Sequence, residues 1–145
     1  MIAIYDEDQL SIADFAGSIV TSHNGTLGEA TDKLLYLRNE DPNTYYTSIL
    51  VQVQDSYDSD DTKGPQGSGW GVKFSKGSRR PTPSEWEAIA WDNLLSMDDI
   101  GTSETTNTTT YYPFWLRVIV PGNTPAQIKS EMILVVSAAE RLVGV

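Results

Sequence analysis

Four aspartates crowd one short stretch of this chain, Asp55, Asp58, Asp60 and Asp61, and carboxylates gathered in a loop are ligands for a hard cation such as calcium. An EF-hand loop adds Gly at its sixth position and Glu at its twelfth. Counted from Asp58, those positions hold Lys63 and Gly69, so that motif fails. The stretch 55–68 reads as a long solvated loop, and an irregular calcium site is the only metal chemistry it leaves open. His23 is the one histidine and stands beside an Asn24-Gly25 turn. A Ser-His-Asp relay would need it as base, and no nucleophile elbow lies near it. Glu85, Glu87, Asp92, Glu104 and Glu131 offer carboxylate pairs of the kind glycosidases use, but such pairs arise by chance in any acidic chain. Residues 64–71 are glycine-rich yet lack the Lys-Ser/Thr of a phosphate loop. No catalytic residue, cofactor site or metal site is therefore assigned.

The residues that remain are suited to contact. Lys73, Lys76, Arg79 and Arg80 form the one basic cluster, able to steer assembly against a negative neighbour. Trp70, Trp86, Trp91 and Trp115 are the four tryptophans. Trp70 and Trp86 fit core positions by their periodicity. In the run 111–120, Tyr112, Phe114, Leu116, Val118 and Val120 alternate onto one face. Tyr111, Pro113, Trp115, Arg117 and Ile119 take the other, which is too apolar to stay wet along a whole strand. Either the helix of the domain or a partner must cover it. The interface candidates are thus Trp115, Arg117, Tyr111, Lys73, Lys76, Arg79 and Arg80.

Composition limits the function classes. The 145 residues suit one domain with a core of its own. Ten basic against twenty acidic residues give a formal net charge of -10, which repels nucleic acid over most of the surface. With no cysteine, disulfides and thiolate zinc sites are excluded, in keeping with manufacture in a reducing cytosol. The apolar run Ile2–Tyr5 is too short for a signal peptide, and no run is long enough to span a bilayer.

The elements that position these residues are mostly strands. Residues 1–20 read as an N-terminal arm with one or two short strands, and 21–145 as a single domain. A strand is predicted over 34–39, ended by Asp41-Pro42-Asn43. The next, 45–54, alternates with Tyr45, Thr47, Ile49, Val51 and Val53 on the buried side. Trp70, Val72 and Phe74 mark another, and Met132, Leu134, Val136 and Ala138 the last. One helix is predicted over 81–95. Thr82-Pro83-Ser84-Glu85 forms a capping box with Pro at the first helical position, and Trp86, Ile89, Ala90 and Leu94 share a face. Such a crossover helix is expected to plug an open end of the fold. Residues 102–110 read as an exposed loop or extended edge.

Two stretches carry a family resemblance. The first is Tyr112-Pro113-Phe114-Trp115-Leu116-Arg117-Val118-Ile119-Val120-Pro121, continued by Asn123-Thr124-Pro125-Ala126-Gln127 and Leu134-Val135-Val136-Ser137-Ala138-Ala139-Glu140. The second is Leu34-Leu35-Tyr36-Leu37-Arg38-Asn39 with Tyr45-Tyr46-Thr47-Ser48-Ile49-Leu50-Val51. Together they cover about a quarter of the chain and resemble strands of small immunoglobulin-like β-sandwich domains in the virion proteins of tailed bacteriophages. A helix bearing Trp86 and Trp91 is a departure from the usual seven-strand module. The resemblance implies a mainly β, immunoglobulin-like antiparallel sandwich with one short helix and an N-terminal arm. It also implies a non-enzymatic virion subunit, made in the host cytoplasm: a capsid decoration protein first, a tail or baseplate component second. Its partners would be other virion proteins and further copies of itself, with no nucleic acid and no membrane. The other class the residues allow is a carbohydrate-binding module using exposed aromatics.

Overall fold

A computed structural model of the chain describes residues 2–9, 11–14, 16–18, 21–23, 29–55, 71–120, 127–129 and 132–144. Among the described residues the fold is mainly β, with two antiparallel sheets and one short helix. Strands β1 (Ile2–Tyr5), β2 (Ser11–Asp14), β5 (Glu29–Asn39), β7 (Gly71–Lys76) and β9 (Tyr112–Val120) form the first sheet, in the order β2-β1-β5-β9-β7. Strands β3 (Ala16–Ser18), β6 (Thr44–Asp55), β8 (Leu94–Met97) and β11 (Met132–Leu142) form the second, in the order β3-β11-β6-β8. A two-stranded ribbon pairs β4 (Thr21–His23) with β10 (Gln127–Lys129).

The two sheets face each other across one core, as in a β-sandwich. Ile2, Ile4, Leu35, Leu37, Val72, Phe74, Phe114, Leu116 and Val118 come from the first sheet; Tyr46, Ile49, Val51, Val53, Leu134 and Val136 come from the second. Each such apolar side chain contributes about 1.5–3 kcal/mol when fully buried. Ile2 and Ile4, at the start of the stretch read as an arm, are part of this core. β1 lies between β2 and β5, in register from Ile2↔Asn39 to Tyr5↔Tyr36, and all four of its residues are buried.

The alternation in β6 reverses part-way. Val51, Val53 and Ile49 face inward as their pattern predicts, but Tyr46, not Tyr45 or Thr47, is the buried partner at the other end. The cause is a bulge. Ser137 pairs with Leu50 and Ala139 with Thr47, so Ser48 and Ile49 together oppose Ala138. Ser48 absorbs the extra residue at a φ of 53°, and the phase shifts by one. Tyr46 then sends its hydroxyl to donate to Glu140 at 3.1 Å. Burial, opposed by a bond to Thr44 and reinforced by the Glu140 acceptor, pushes that hydroxyl up to about 12.

The helix is shorter than its sequence period suggests and lies elsewhere. α1 spans Pro83–Ala88, with the capping box of Thr82 and Glu85 formed in both directions. Ile89 is already extended, and residues 89–93 cross from one sheet to the other. The Asp92 amide donates to the Val72 carbonyl in the first sheet, and the Asn93 carbonyl accepts from Val53 in the second. These bonds pull the backbone straight, so Leu94 opens β8 instead of closing a helix. α1 does not plug an end of the fold; its Trp86 packs on the outer face of the first sheet.

Residues 98–111 are tied down, although their side chains carry no apolar period. Ile100 exchanges two backbone bonds with Tyr46 and is buried. Asn39, fully buried, donates to the carbonyls of Thr44 and Thr106. Gly101 holds a φ of 86°, and a Cβ there would meet the Thr105 carbonyl at 2.5 Å.

Candidate docking face

The outer face of the first sheet gathers most of the contact residues. Register puts Ala30, Asp32, Leu34 and Tyr36 of β5 opposite Ile119, Arg117, Trp115 and Pro113 of β9. Gly71, Lys73 and Ser75 of β7 lie beside Ile119, Arg117 and Trp115. Tyr5 of β1 is opposite Tyr36. Period two sends all of these to one side, away from the core.

Asp32 is the centre of this face. Its side chain is only 1% exposed. Arg117 donates to both carboxylate oxygens, Nε to Oδ1 at 2.6 Å and Nη2 to Oδ2 at 2.9 Å. Arg80 reaches Oδ2 at 2.8 Å from the connector that follows β7. Burial raises the Asp32 carboxyl, and the two guanidiniums outweigh that effect and hold it below the usual carboxylate range.

Each cation of the group also lies over an indole. Arg117 sits 4.8 Å from the Trp86 ring centroid, Arg80 5.7 Å from Trp115 and Lys73 4.7 Å from Trp91. Trp86 is 1% exposed, and Lys73 donates to its carbonyl at 2.9 Å. The Trp86 Nε1 is buried without a partner, whereas Trp115 Nε1 donates to the Ser78 carbonyl. α1 and the connector 77–82 are thereby fastened onto the Arg117 end of the face. Lys73 is itself buried, and loss of hydration followed by the nearby Arg117 charge lowers its ammonium.

The other half of the face is open to contact. Tyr111 meets Tyr5 and Tyr36 edge-on, at 5.1 and 5.9 Å between centroids. Arg38 lies 4.9 Å from the Tyr111 centroid, donates to its hydroxyl at 2.8 Å and holds the Thr108 carbonyl at 2.6 Å. Leu34, Tyr36, Pro113, Trp115 and Ile119 are half-buried.

The seven sequence candidates thus divide. Arg117 and Lys73 are engaged inside the helix-covered half. Tyr111 and Trp115 border the open half. Lys76 and Arg79 stand exposed beside α1, paired with Asp98 and Glu85, and Arg80 bridges outward from Asp32. Arg79 and the Thr82 amide hold the Glu85 carboxyl down to about 2. Asp32, Tyr36 and Arg38 escaped the sequence argument, although their even spacing with Leu34 along β5 marks them as one face. Trp70, the turn at Asn24-Gly25, the acidic loop after Asp55 and the Pro-Gly turn after Val120 lie outside the described residues. Among the described residues, no group of three or more His, Asp or Glu side chains is placed to hold a metal ion. Among the described residues, no helix is long and apolar enough to cross a membrane.

Protein-family models, curated proteins and solved structures gave no match to this chain.

Proposed function

We propose that this protein is a non-enzymatic structural subunit of a tailed-phage virion, an immunoglobulin-like capsid decoration protein that acts by burying the open half of its first-sheet face against a neighbouring virion protein. The observation that carries this reading is the make-up of that half. Tyr36, Tyr111, Pro113 and Trp115 with Arg38 and Arg80 present two arginines among aromatics. Tyr, Trp and Arg are the residues that dominate the energy of protein interfaces. The sheet holds Tyr36, Arg38, Pro113 and Trp115 in place, so little of their entropy is lost on docking. The acidic remainder keeps the free subunit soluble before assembly. The virion assignment itself rests on the family resemblance of the strands, and a tail or baseplate position is its second form.

A glycan-binding module would need aromatic faces free to stack on sugar rings. Here Trp86 is buried and Trp91 and Trp115 each carry a cation, which favours the subunit reading. The test is uptake of wild type and Trp115→Ala by phage shells lacking their decoration. Wild type binds and the variant, still folded, binds at least about tenfold more weakly. Unfolding of the isolated variant would instead make Trp115 part of the core and remove the interface.

A further inference from the structure

The loop between β8 and β9 has an order that apolar burial does not explain. Seven of the ten residues 101–110 carry hydroxyls, and none is a large apolar residue. Polar tethers fix it instead. The Thr105 carbonyl accepts from the Thr102 amide at 2.7 Å, and the Ser103 carbonyl from the Gly144 amide at 2.9 Å. Asn39 holds the Thr106 carbonyl at 2.8 Å, and Arg38 the Thr108 carbonyl at 2.6 Å. Two left-handed residues, Gly101 and Asn107 at φ of 86° and 49°, shape the bend. A compact polar loop fixed by a buried asparagine and by unusual backbone angles is the kind of segment that carries function.

The loop lines a cavity of about 480 Å3, together with Asp99 and Tyr112. Its chemistry follows from which atoms the tethers already engage. The carbonyls of Thr105, Thr106 and Thr108 all have donors. Thr102 Oγ1 accepts from the Glu104 amide at 3.2 Å and Thr105 Oγ1 from the Asn107 amide at 3.4 Å, so each hydroxyl keeps its hydrogen to donate. The Asn107 amide donates to the Tyr112 hydroxyl at 2.5 Å and accepts from Thr110 at 2.8 Å. Asp98 is paired with Lys76, but among the described residues no side chain pairs with the Asp99 carboxylate. The cavity thus offers several O–H donors and one charged acceptor on a frame that is already ordered.

That lining selects a ligand class. No lysine or arginine lines the cavity, so an anion finds no counter-charge. A hard cation needs several oxygen ligands, and here it meets one carboxylate among hydroxyls that already accept from the backbone. An apolar ligand finds only Tyr112, whose ring packs against the core. A neutral ligand with adjacent hydroxyls fits, because one can donate to the carboxylate while its neighbour accepts from a threonine. We infer that this cavity binds a neutral sugar, gripped through a vicinal diol by Asp99 and the hydroxyls of Thr102, Thr105 and Thr109. It lies away from the tryptophans, so it holds its ligand by hydrogen bonds without a stacked ring. It is also separate from the first-sheet face and independent of the virion reading. Few bonds are made but little loop freedom is lost, and the dissociation constant is on the order of 1 mM.

The test is a nuclear magnetic resonance titration of the isotope-labelled full chain with glucose, galactose, mannose and rhamnose, each to roughly 50 mM. At least one sugar moves the amides of residues 99–109 saturably and leaves those around Trp115 in place. Asp99→Asn removes the charged acceptor and binds at least about tenfold more weakly. Thr109→Val removes one O–H donor and weakens binding roughly 2- to 10-fold. Both residues are exposed, and unshifted strand amides show that each variant is folded. Sodium phosphate and calcium chloride at the same concentrations leave the loop amides unmoved. The inference is overturned if no sugar moves the loop amides, if Asp99→Asn keeps the wild-type response, or if the shifts fall on the Trp115 face. Saturable shifts from calcium with none from any sugar overturn it as well. Loss of folding in Asp99→Asn leaves Thr109→Val to decide, and unchanged binding there also overturns it.

Discussion

Replacing Asp32 by Asn keeps the shape of the side chain and removes the charge that two guanidiniums share. The Arg117 pair is bidentate and mostly shielded, with the arginine 18% exposed, whereas Arg80 is 63% exposed. Breaking a fully buried pair costs about 3–5 kcal/mol, while an exposed partner adds less than about 1 kcal/mol. Arg117 keeps some water and its stack on Trp86, and the amide oxygen still accepts one bond, so about 2–4 kcal/mol is expected for Asp32→Asn. For a domain of this size that lowers Tm by roughly 8–15 °C. The assay is urea unfolding at several pH values, followed by tryptophan fluorescence. Folding makes the Asp32 carboxyl more acidic. Its contribution is therefore complete above the unfolded-chain value of about 3.9 and fades as pH falls through the lower folded value. The gap between wild type and variant should close on acidification. A variant within about 0.5 kcal/mol of wild type at neutral pH would refute the reasoning, since changes that small are typical of plain surface sites. A gap equally wide at pH 2 would refute it as well.

Other parts of the fold give sharp expectations. Gly101→Ala must hold a φ of 86° and place its Cβ against the Thr105 and Thr106 carbonyls, so a loss of more than about 2 kcal/mol is expected in chemical unfolding. Thr82→Ala removes one half of the capping box and should cost about 1 kcal/mol, with α1 exchanging its amides faster while the strands keep theirs. Tyr46 ionises later in the folded chain than in the unfolded one, so its share of stability is intact below about pH 10 and is lost as pH rises toward 12. Tyr46→Phe should flatten that part of the alkaline profile; an unchanged profile would assign it to other groups.

The strands were legible where burial repeats every second residue. Phe114, Leu116 and Val118 in β9 and Val72 and Phe74 in β7 read as one face and are one face. The capping box was legible because Thr82, Pro83 and Glu85 act within one turn. The bulge was not, because serine carries no local preference for positive φ and the extra residue appears only against Ala138 on another strand. The helix end was hidden by coincidence: Ile89, Ala90 and Leu94 match a helical period, yet bonds from 92 and 93 to both sheets decide their backbone. The centre of the candidate face was out of reach for a related reason. Asp32 and Arg117 are 85 residues apart, and only the register of β5 with β9 brings them together.

The most direct measurement is the mass of undecorated phage shells after mixing with increasing amounts of the purified protein, followed by light scattering. The account predicts uptake that saturates at a fixed number of copies per shell and is lost with Trp115→Ala. A folded protein that leaves the mass of every shell unchanged would contradict it.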